Sequence, residues 1–354
     1  MTFTHRATSI AATLIAAMFL FACTKSPEAS PVVRVGGNTM GTTWVTTLTP
    51  PANSSLGEEQ WTALIQVALD EVEGAMSTYQ DDSDLNRFTR AKTGEAISLS
   101  THTQTVLRAS RQVHQLSNGA FDPTIGALLQ LWGFGAKRSS EVQEQATDTP
   151  DPADIAALLT SVGLSKVESS DGDASIFAQD PGALFLDFSA IAKGYGVDHA
   201  AQTLRAQGVQ NFLVEVGGEV VVLGERPGGG TWRLAIESPF ADRPKLAARI
   251  TFTDRALATS GNYRNFRELT GGTIISHTID PRTGRPVLNP PASVSVLAQS
   301  CMLADAWATA LSVLGPQGLE IIESIDGLEA RMVITAQGEE PERIRTTTGW
   351  PTVP

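Results

Sequence analysis

Leu186-Asp187-Phe188-Ser189-Ala190-Ile191-Ala192-Lys193-Gly194-Tyr195 runs from the end of a predicted strand into the start of a predicted helix. Around it the pattern predicts a strand over Ala183 to Phe188, a helix from about Ala190 to Gln207 stopped by Gly208, and a strand over Asn211 to Glu215. This is a strand-helix-strand unit. Free amides at the helix start suit an anion. Lys193 falls in the first turn, where its ammonium can join those amides at a phosphate, and Asp187 at the strand end can accept hydrogen bonds. A capped helix with a solvated lysine explains the same spacing equally well, and the unit carries neither Walker glycines nor a GxGxxG pattern.

Upstream, Val32 to Val35 and Thr42 to Thr49 read as a hairpin around Gly36-Gly37-Asn38. Ser55 and Glu58 form a capping-box pattern ahead of a helix whose apolar face runs from Trp61 to Met76, and a second helix starts at Ser100 and stops at Asn118-Gly119. Lys137 to Pro152 is polar, acidic and turn-rich, hence a surface excursion. Downstream, short strands are predicted at Val220 to Leu223, Trp232 to Ile236, Ala248 to Phe252, Thr273 to Thr278 and Ser293 to Val296, and turn-linked strands pair antiparallel. A helix over Met302 to Leu314 and a strand over Ala330 to Thr335 close the chain. The fold class is mixed α+β, with helices over largely antiparallel sheets and one embedded strand-helix-strand unit.

At the N-terminus His5 and Arg6 precede an apolar run, Ile10 to Phe21, too short to span a bilayer. Leu20-Phe21-Ala22-Cys23 looks like a lipoprotein lipobox, so residues 1–22 read as a leader, Cys23 as a lipidated first residue, 23–31 as a tether, and 32–354 as one domain. An ordinary signal peptide or anchor helix is the plainer alternative. With Cys23 lipidated only Cys301 remains, so no intramolecular disulfide can form and stability rests on a packed core, which 42% hydrophobic residues can supply. Loss of Arg6 with the leader takes the net charge from -12 to -13, which argues against nucleic acid as a partner.

Asp305 and Thr309 stand four apart on the last helix, so a carboxylate and a hydroxyl share one face and suit magnesium, which takes few protein oxygens. Asp305 as a helix cap, with Thr309 bonding backwards, is as good a reading. His277 lies in a predicted strand that breaks into Asp280-Pro281-Arg282-Thr283-Gly284. Since His102, His114 and His199 fall in helical patterns and His5 leaves with the leader, His277 is the preferred acid-base or phosphate-contacting histidine. The clusters Val216-Gly217-Gly218-Glu219 and Thr259-Ser260-Gly261-Asn262-Tyr263 bring backbone near a ligand or are simply tight turns. Tyr79 offers a flat face for a ring.

Taken together, Met40-Gly41-Thr42, Ser77-Thr78-Tyr79 with Ser83-Asp84-Leu85, Gly119 to Thr124, Asp187 to Tyr195, Glu215 to Glu219, Ala258 to Arg264, His277 to Gly284 and Ala304 to Ala310 resemble, in order, the ApbE family of FAD:protein FMN transferases. The resemblance implies that Tyr79 flanks the flavin, that Met40 contributes to the pocket, that Ala120, Phe121 and Asp122 line the nucleotide, and that Asp187 and Lys193 hold FAD. It implies also that the Ala190 carbonyl, Asp305 and Thr309 bind Mg2+, with His277 beside the pyrophosphate. Met302 departs from the pattern, standing where family members can carry an additional aspartate, and a thioether is a poor magnesium ligand. The implied activity is transfer of FMN from FAD to a threonine or serine hydroxyl of a partner protein, releasing AMP. The implied acceptors are flavoprotein subunits of inner-membrane redox complexes, met by an enzyme anchored through lipid on the periplasmic side of the inner membrane. The competing readings are a periplasmic FAD pyrophosphatase, which needs the same residues, and a lipoprotein that binds FAD without chemistry, which an Asp305/Thr309 pair disfavors.

Overall fold

The computed structural model describes residues 31–92, 94–135, 149–170, 175–177, 184–240, 246–261, 266–270, 272–335 and 342–351. The leader, Cys23, the tether up to residue 30, most of the predicted excursion, Ala183 and Asn262 to Arg264 lie outside the described residues.

Eight strands make one sheet in which each neighbour is antiparallel and is also the next sheet strand along the chain. They are β1 (Val33–Thr39), β2 (Thr42–Thr49), β3 (Asn211–Val216), β4 (Glu219–Leu223), β5 (Arg255–Gly261), β6 (Ser293–Ala298), β7 (Glu329–Ile334) and β8 (Arg343–Thr346). Helices α1 (Glu58–Met76), α2 (Thr101–Leu116) and α3 (Ala192–Ala206) lie in the connection between β2 and β3, and α4 (Cys301–Leu314) connects β6 to β7. The α+β class and the antiparallel pairing are therefore as the sequence predicts. Among the described residues, no helix is long and apolar enough to cross a membrane.

Both faces of the sheet are covered. On one, α3 packs on β3 and β4 while α4 packs on β5 and β6, with α1 against α3. On the other, a hairpin of Trp232–Glu237 and Leu246–Phe252 shares a core with Val220, Val222, Leu257 and Leu297. Val221, between those valines, joins the helix-side core instead, which is why this strand reads Val-Val-Val without polar alternation. A satellite core of Leu128, Trp132, Ile155, Leu269, Ile275 and Ile279 gathers three separate segments, and Trp132 Nε1 pins it by donating to the Gly284 carbonyl at 2.8 Å.

Several local expectations are corrected. β1 continues through Gly36-Gly37-Asn38 and reverses at Met40-Gly41, both at positive φ (48° and 72°). A Cβ on Gly37 would sit 2.7 Å from Trp44 Nε1, so the glycine makes room for an indole across the hairpin. The α1 cap is Gly57, whose N–H donates to Gln60 Oε1 at 2.9 Å, and Ser55 lies outside it. Phe185, in the segment predicted as a strand, makes a single parallel bridge with Ile125. The sheet edge it would need is filled, because β3 pairs with β2 on one side and β4 on the other. Thr259-Ser260-Gly261 is the end of β5, paired with Ser293 to Ser295, and not a turn. A capped helix, Pro152–Leu159, begins where the excursion ends, and β8 follows the strand expected to be last.

Candidate functional site

The site is built where α3 meets α4. Ser300 caps α4 by accepting from Leu303 N–H, and Asp198 of α3 accepts from Ser300 Oγ (2.9 Å), Cys301 N–H (2.8 Å) and Met302 N–H (2.9 Å). One turn along α4, Asp305 Oδ2 accepts the Gly194 N–H at 3.0 Å. In a continuous helix that amide would bond the carbonyl four residues back, on Ala190. Here it is drawn to Asp305 instead. Only glycine permits the approach, because a Cβ on residue 194 would fall on the Cys301 carbonyl and lie 2.8 Å from Asp305 Cβ. Asp305 is therefore no helix cap.

Lys193 Nζ donates to Glu219 Oε1 at 2.6 Å, an ion pair in which Glu219 is almost wholly buried. The lysine is thus turned to an acid at the start of β4, where the sequence suggested a phosphate. Burial raises the Asp305 and Glu219 carboxyls above their ordinary range, against the pull of Lys193. Burial alone would lower Lys193, but Asp305 and Glu219 outweigh it and hold the ammonium charged. Two buried acids thus share one cation. Glu219 Oε2 is left buried without a hydrogen-bond partner.

These groups line a cleft of about 820 Å³, within the roughly 300–1,000 Å³ of pockets that enclose small organic ligands. One wall comes from the sheet (Glu215, Gly217, Gly218, Thr259, Ser260), a second from α4 (Asp305, Thr309) with Ala190 and Lys193, and a third from Ala120, Phe121, Asp122, His277 and Thr278. Thr309 Oγ1 lies 3.5 Å from Ser260 Oγ, so strand and helix hydroxyls face each other. Asp122 is spent on its own loop, accepting from Thr124 N–H and Oγ1, and its carboxylate stands 3.3 Å from His114 Nδ1. Asp187 accepts from Ser189 N–H at 2.8 Å, and the His277 ring meets Phe134 edge-on.

Of the residues singled out in the sequence, the cleft brings together Ala120, Phe121, Asp122, Asp187, Ala190, Lys193, His277, Asp305 and Thr309. Met40 and Tyr79 are not among its lining residues. The Met40 side chain is turned toward Gly196 and the core, and its N–H donates to Glu73 Oε2. Tyr79 sits just past the end of α1 with 77% of its surface exposed. Glu219, which the sequence reading named within Val216 to Glu219 without giving its side chain a role, is the buried acid of the cleft, opening a strand otherwise made of Val, Val, Val and Leu.

The ApbE family model matches residues 40–332. The chain belongs to the ApbE family. It is 38% identical over 315 residues to the FAD:protein FMN transferase of Vibrio cholerae serotype O1, covering 88% of this chain and 89% of that one. It is 33% identical over 334 residues to the Escherichia coli K12 protein of the same name, covering 93% and 92%. Among solved ApbE structures it superposes on the Vibrio cholerae flavin transferase (TM-score 0.78, 34% identity, 90% and 98% covered). It superposes equally on the apo flavinyl transferase of Pseudomonas stutzeri (TM-score 0.79, 32% identity, 92% and 97% covered).

Proposed function

We propose that this chain is an FAD:protein FMN transferase, working with magnesium in the cleft between α4 and the satellite core. The observation that carries the reading is the joint of α3 and α4: a buried Asp305 tied to Gly194, beside an acid-lysine pair that retains one unpartnered carboxylate oxygen. The relatives' printed names supply the reaction class.

The donor set fits a hard cation. Asp305, Thr309 and Ala190 all line the cleft and can offer it a carboxylate, a hydroxyl and a backbone carbonyl, oxygen donors of the kind magnesium takes. Magnesium held there would neutralise charge that develops on the pyrophosphate as its phosphoanhydride bond breaks. The Gly194 amide fixes the Asp305 carboxylate before substrate arrives, and Lys193 keeps Glu219 from repelling the pyrophosphate. Ala120, Phe121 and Asp187 bound the space for the nucleotide. In the transfer, the acceptor's threonine or serine oxygen bonds to the FMN phosphorus, the phosphoanhydride P–O bond breaks, and AMP leaves with that bond's electron pair. His277, the imidazole on the cleft wall, takes the hydroxyl proton.

The reading extends to an enzyme of the envelope, lipid-anchored on the periplasmic side of the inner membrane and within reach of flavoprotein subunits of redox complexes, and the lipobox-like Leu20 to Cys23 supports it. Incubation with FAD, magnesium and an acceptor carrying a target threonine should give a fluorescent protein band after denaturing electrophoresis and one AMP per FAD consumed. Free FMN at equal rates with the threonine or a valine in its place, and no fluorescent band, would identify a pyrophosphatase instead. FAD bound but unchanged would leave only a binding protein.

A further inference from the structure

Glu71 of α1, His102 of α2 and His199 of α3 meet at a point outside the cleft, whose lining includes none of them. A carboxylate oxygen and one ring nitrogen from each histidine all lie within 4.8 Å of one another. Glu71 Oε2 is 2.9 Å from His199 Nε2 and 4.0 Å from His102 Nε2, and the imidazole rings stand edge to face with centroids 4.6 Å apart. Tetrahedral coordination with bonds of about 2.0–2.2 Å sets ligand atoms roughly 3.4 Å apart. Of the three separations, the one at 2.9 Å must open and the one at 4.0 Å close by about half an ångström each, and the two ring nitrogens, which lie within 4.8 Å, draw together by about 1.4 Å at most, which side-chain rotations supply.

His102 is held from behind, its Nδ1 lying 3.0 Å from Tyr195 Oη, so Nε2 is the nitrogen left to face the Glu71 carboxylate. In the tautomer whose proton sits on Nδ1, that nitrogen offers a lone pair to a cation. A histidine held from behind in this way is how proteins orient imidazole toward a metal. His199 is oriented too, its ring parallel within 10° to that of Tyr195 one turn earlier on α3. The histidine side chains keep 19% of their surface open and Glu71 keeps 52%, so an ion can enter from solvent and retain water.

We propose that Glu71, His102 Nε2 and His199 Nε2 form a site for a divalent cation of the zinc class, water completing a tetrahedron and the ion tying α1, α2 and α3 together. Two imidazole nitrogens with one carboxylate suit zinc or cobalt and not magnesium, which takes oxygen ligands, so this site and the Asp305 site select different ions.

The test uses the mature protein stripped with chelator and then titrated with Co2+ or Zn2+ alone. Wild type should take one equivalent of Co2+ with visible d–d bands of tetrahedral intensity, and Zn2+ at 100 times its Kd should raise Tm by roughly 4 °C. Asp305→Ala should leave both responses intact. His102→Gln and His199→Gln should abolish the bands and the shift. Glu71→Gln, a change on an exposed side chain that leaves the fold undisturbed, should weaken Zn2+ binding at least tenfold. A wild type without tetrahedral bands and without a zinc-dependent Tm shift, or full binding by Glu71→Gln, would overturn the site and leave a histidine-carboxylate hydrogen bond between helices.

Discussion

Gly194→Ala is the sharpest single perturbation of the α3–α4 joint. The added methyl needs about 1 Å more room to clear the Cys301 carbonyl and Asp305 Cβ, and both neighbours belong to a helix packed between the sheet and α3. Overpacking of this kind costs about 1–3 kcal/mol. Displacing Asp305 from the Gly194 amide adds about 1.5–3 kcal/mol, because the acceptor is a buried carboxylate. Together these are about 2.5–6 kcal/mol. With unfolding entropy near 2.1 cal/mol/K per residue, a chain of this length loses roughly 1.5 °C of Tm per kcal/mol, so the fall should be about 4–9 °C. A displacement of about 1 Å at groups that position a reacting phosphate costs on the order of a hundredfold in turnover. Gly196→Ala is the control, since its methyl would crowd the end of the flexible Met40 side chain and touch Leu69 Cδ2 at an ordinary 3.4 Å, and should cost less than about 1.5 kcal/mol. Scanning fluorimetry and FAD-dependent AMP release measure the two effects. If Gly194→Ala melts within 1 °C of wild type, on the scale given above, and releases AMP at the same rate, the joint does not position the site.

Asp305→Ala should abolish magnesium-dependent turnover while weakening FAD binding far less, because a metal's charge matters most as the anhydride breaks; flavin fluorescence titration beside AMP release separates the two. Asp198→Asn keeps one acceptor oxygen but turns an amide NH2 toward the Cys301 N–H on one side, or toward the Ser300 hydroxyl and Met302 N–H if flipped, and should cost about 2–3 kcal/mol, read as a Tm fall of roughly 3–5 °C. Lys193→Met leaves Glu219, whose carboxyl burial already raises, to take up a proton and stay buried without its partner, and should destabilise by about 1–3 kcal/mol, whereas Lys193→Met with Glu219→Met should recover much of that loss in denaturant titrations; a double variant no more stable than the single one would contradict the pairing. Intact-mass analysis of membrane extracts should find a mature chain beginning at lipidated Cys23, and recovery of an unmodified Cys23 or of the whole leader would refute the anchor.

What the sequence made legible was what local spacing controls. The span and stop of α3, the strand β3 after it, and α4 with Asp305 and Thr309 on one face all follow from apolar period and punctuation. What escaped was whatever depends on a remote partner. Phe185 sits in an apolar run like any strand, but its place in the sheet is taken by a segment some 25 residues later. Thr259-Ser260-Gly261 carries turn residues, yet β6 alongside makes it a strand. Lys193 was placed correctly at the helix start, while its direction is set by Glu219 on another element. The family pattern carried nine lining residues into the cleft but not Tyr79, whose exposure no local rule reveals. Glu71, His102 and His199 read as three unrelated helix positions because they come together only when three helices pack.

The sheet order bears on how the molecule assembles. Thr49 ends β2 and pairs with Asn211, which opens β3, so a connection carrying three major helices leaves the sheet and returns one strand over. Closing a flexible loop of roughly 160 residues costs about 3–4 kcal/mol more in chain entropy than closing one of a few residues. The β1–β2 and β3–β4 hairpins, with minimal loops, carry almost none of that cost. They should therefore gain hydrogen-exchange protection first in pulse-labelled refolding, with the Thr49–Asn211 ladder protected only after α1 has docked on α3 and shortened the effective loop. The cleft would then be among the last features to appear, since the α3–α4 joint that shapes it spans the same seam. A chain released before that seam closes would hold its hairpins and still be unable to cradle a nucleotide.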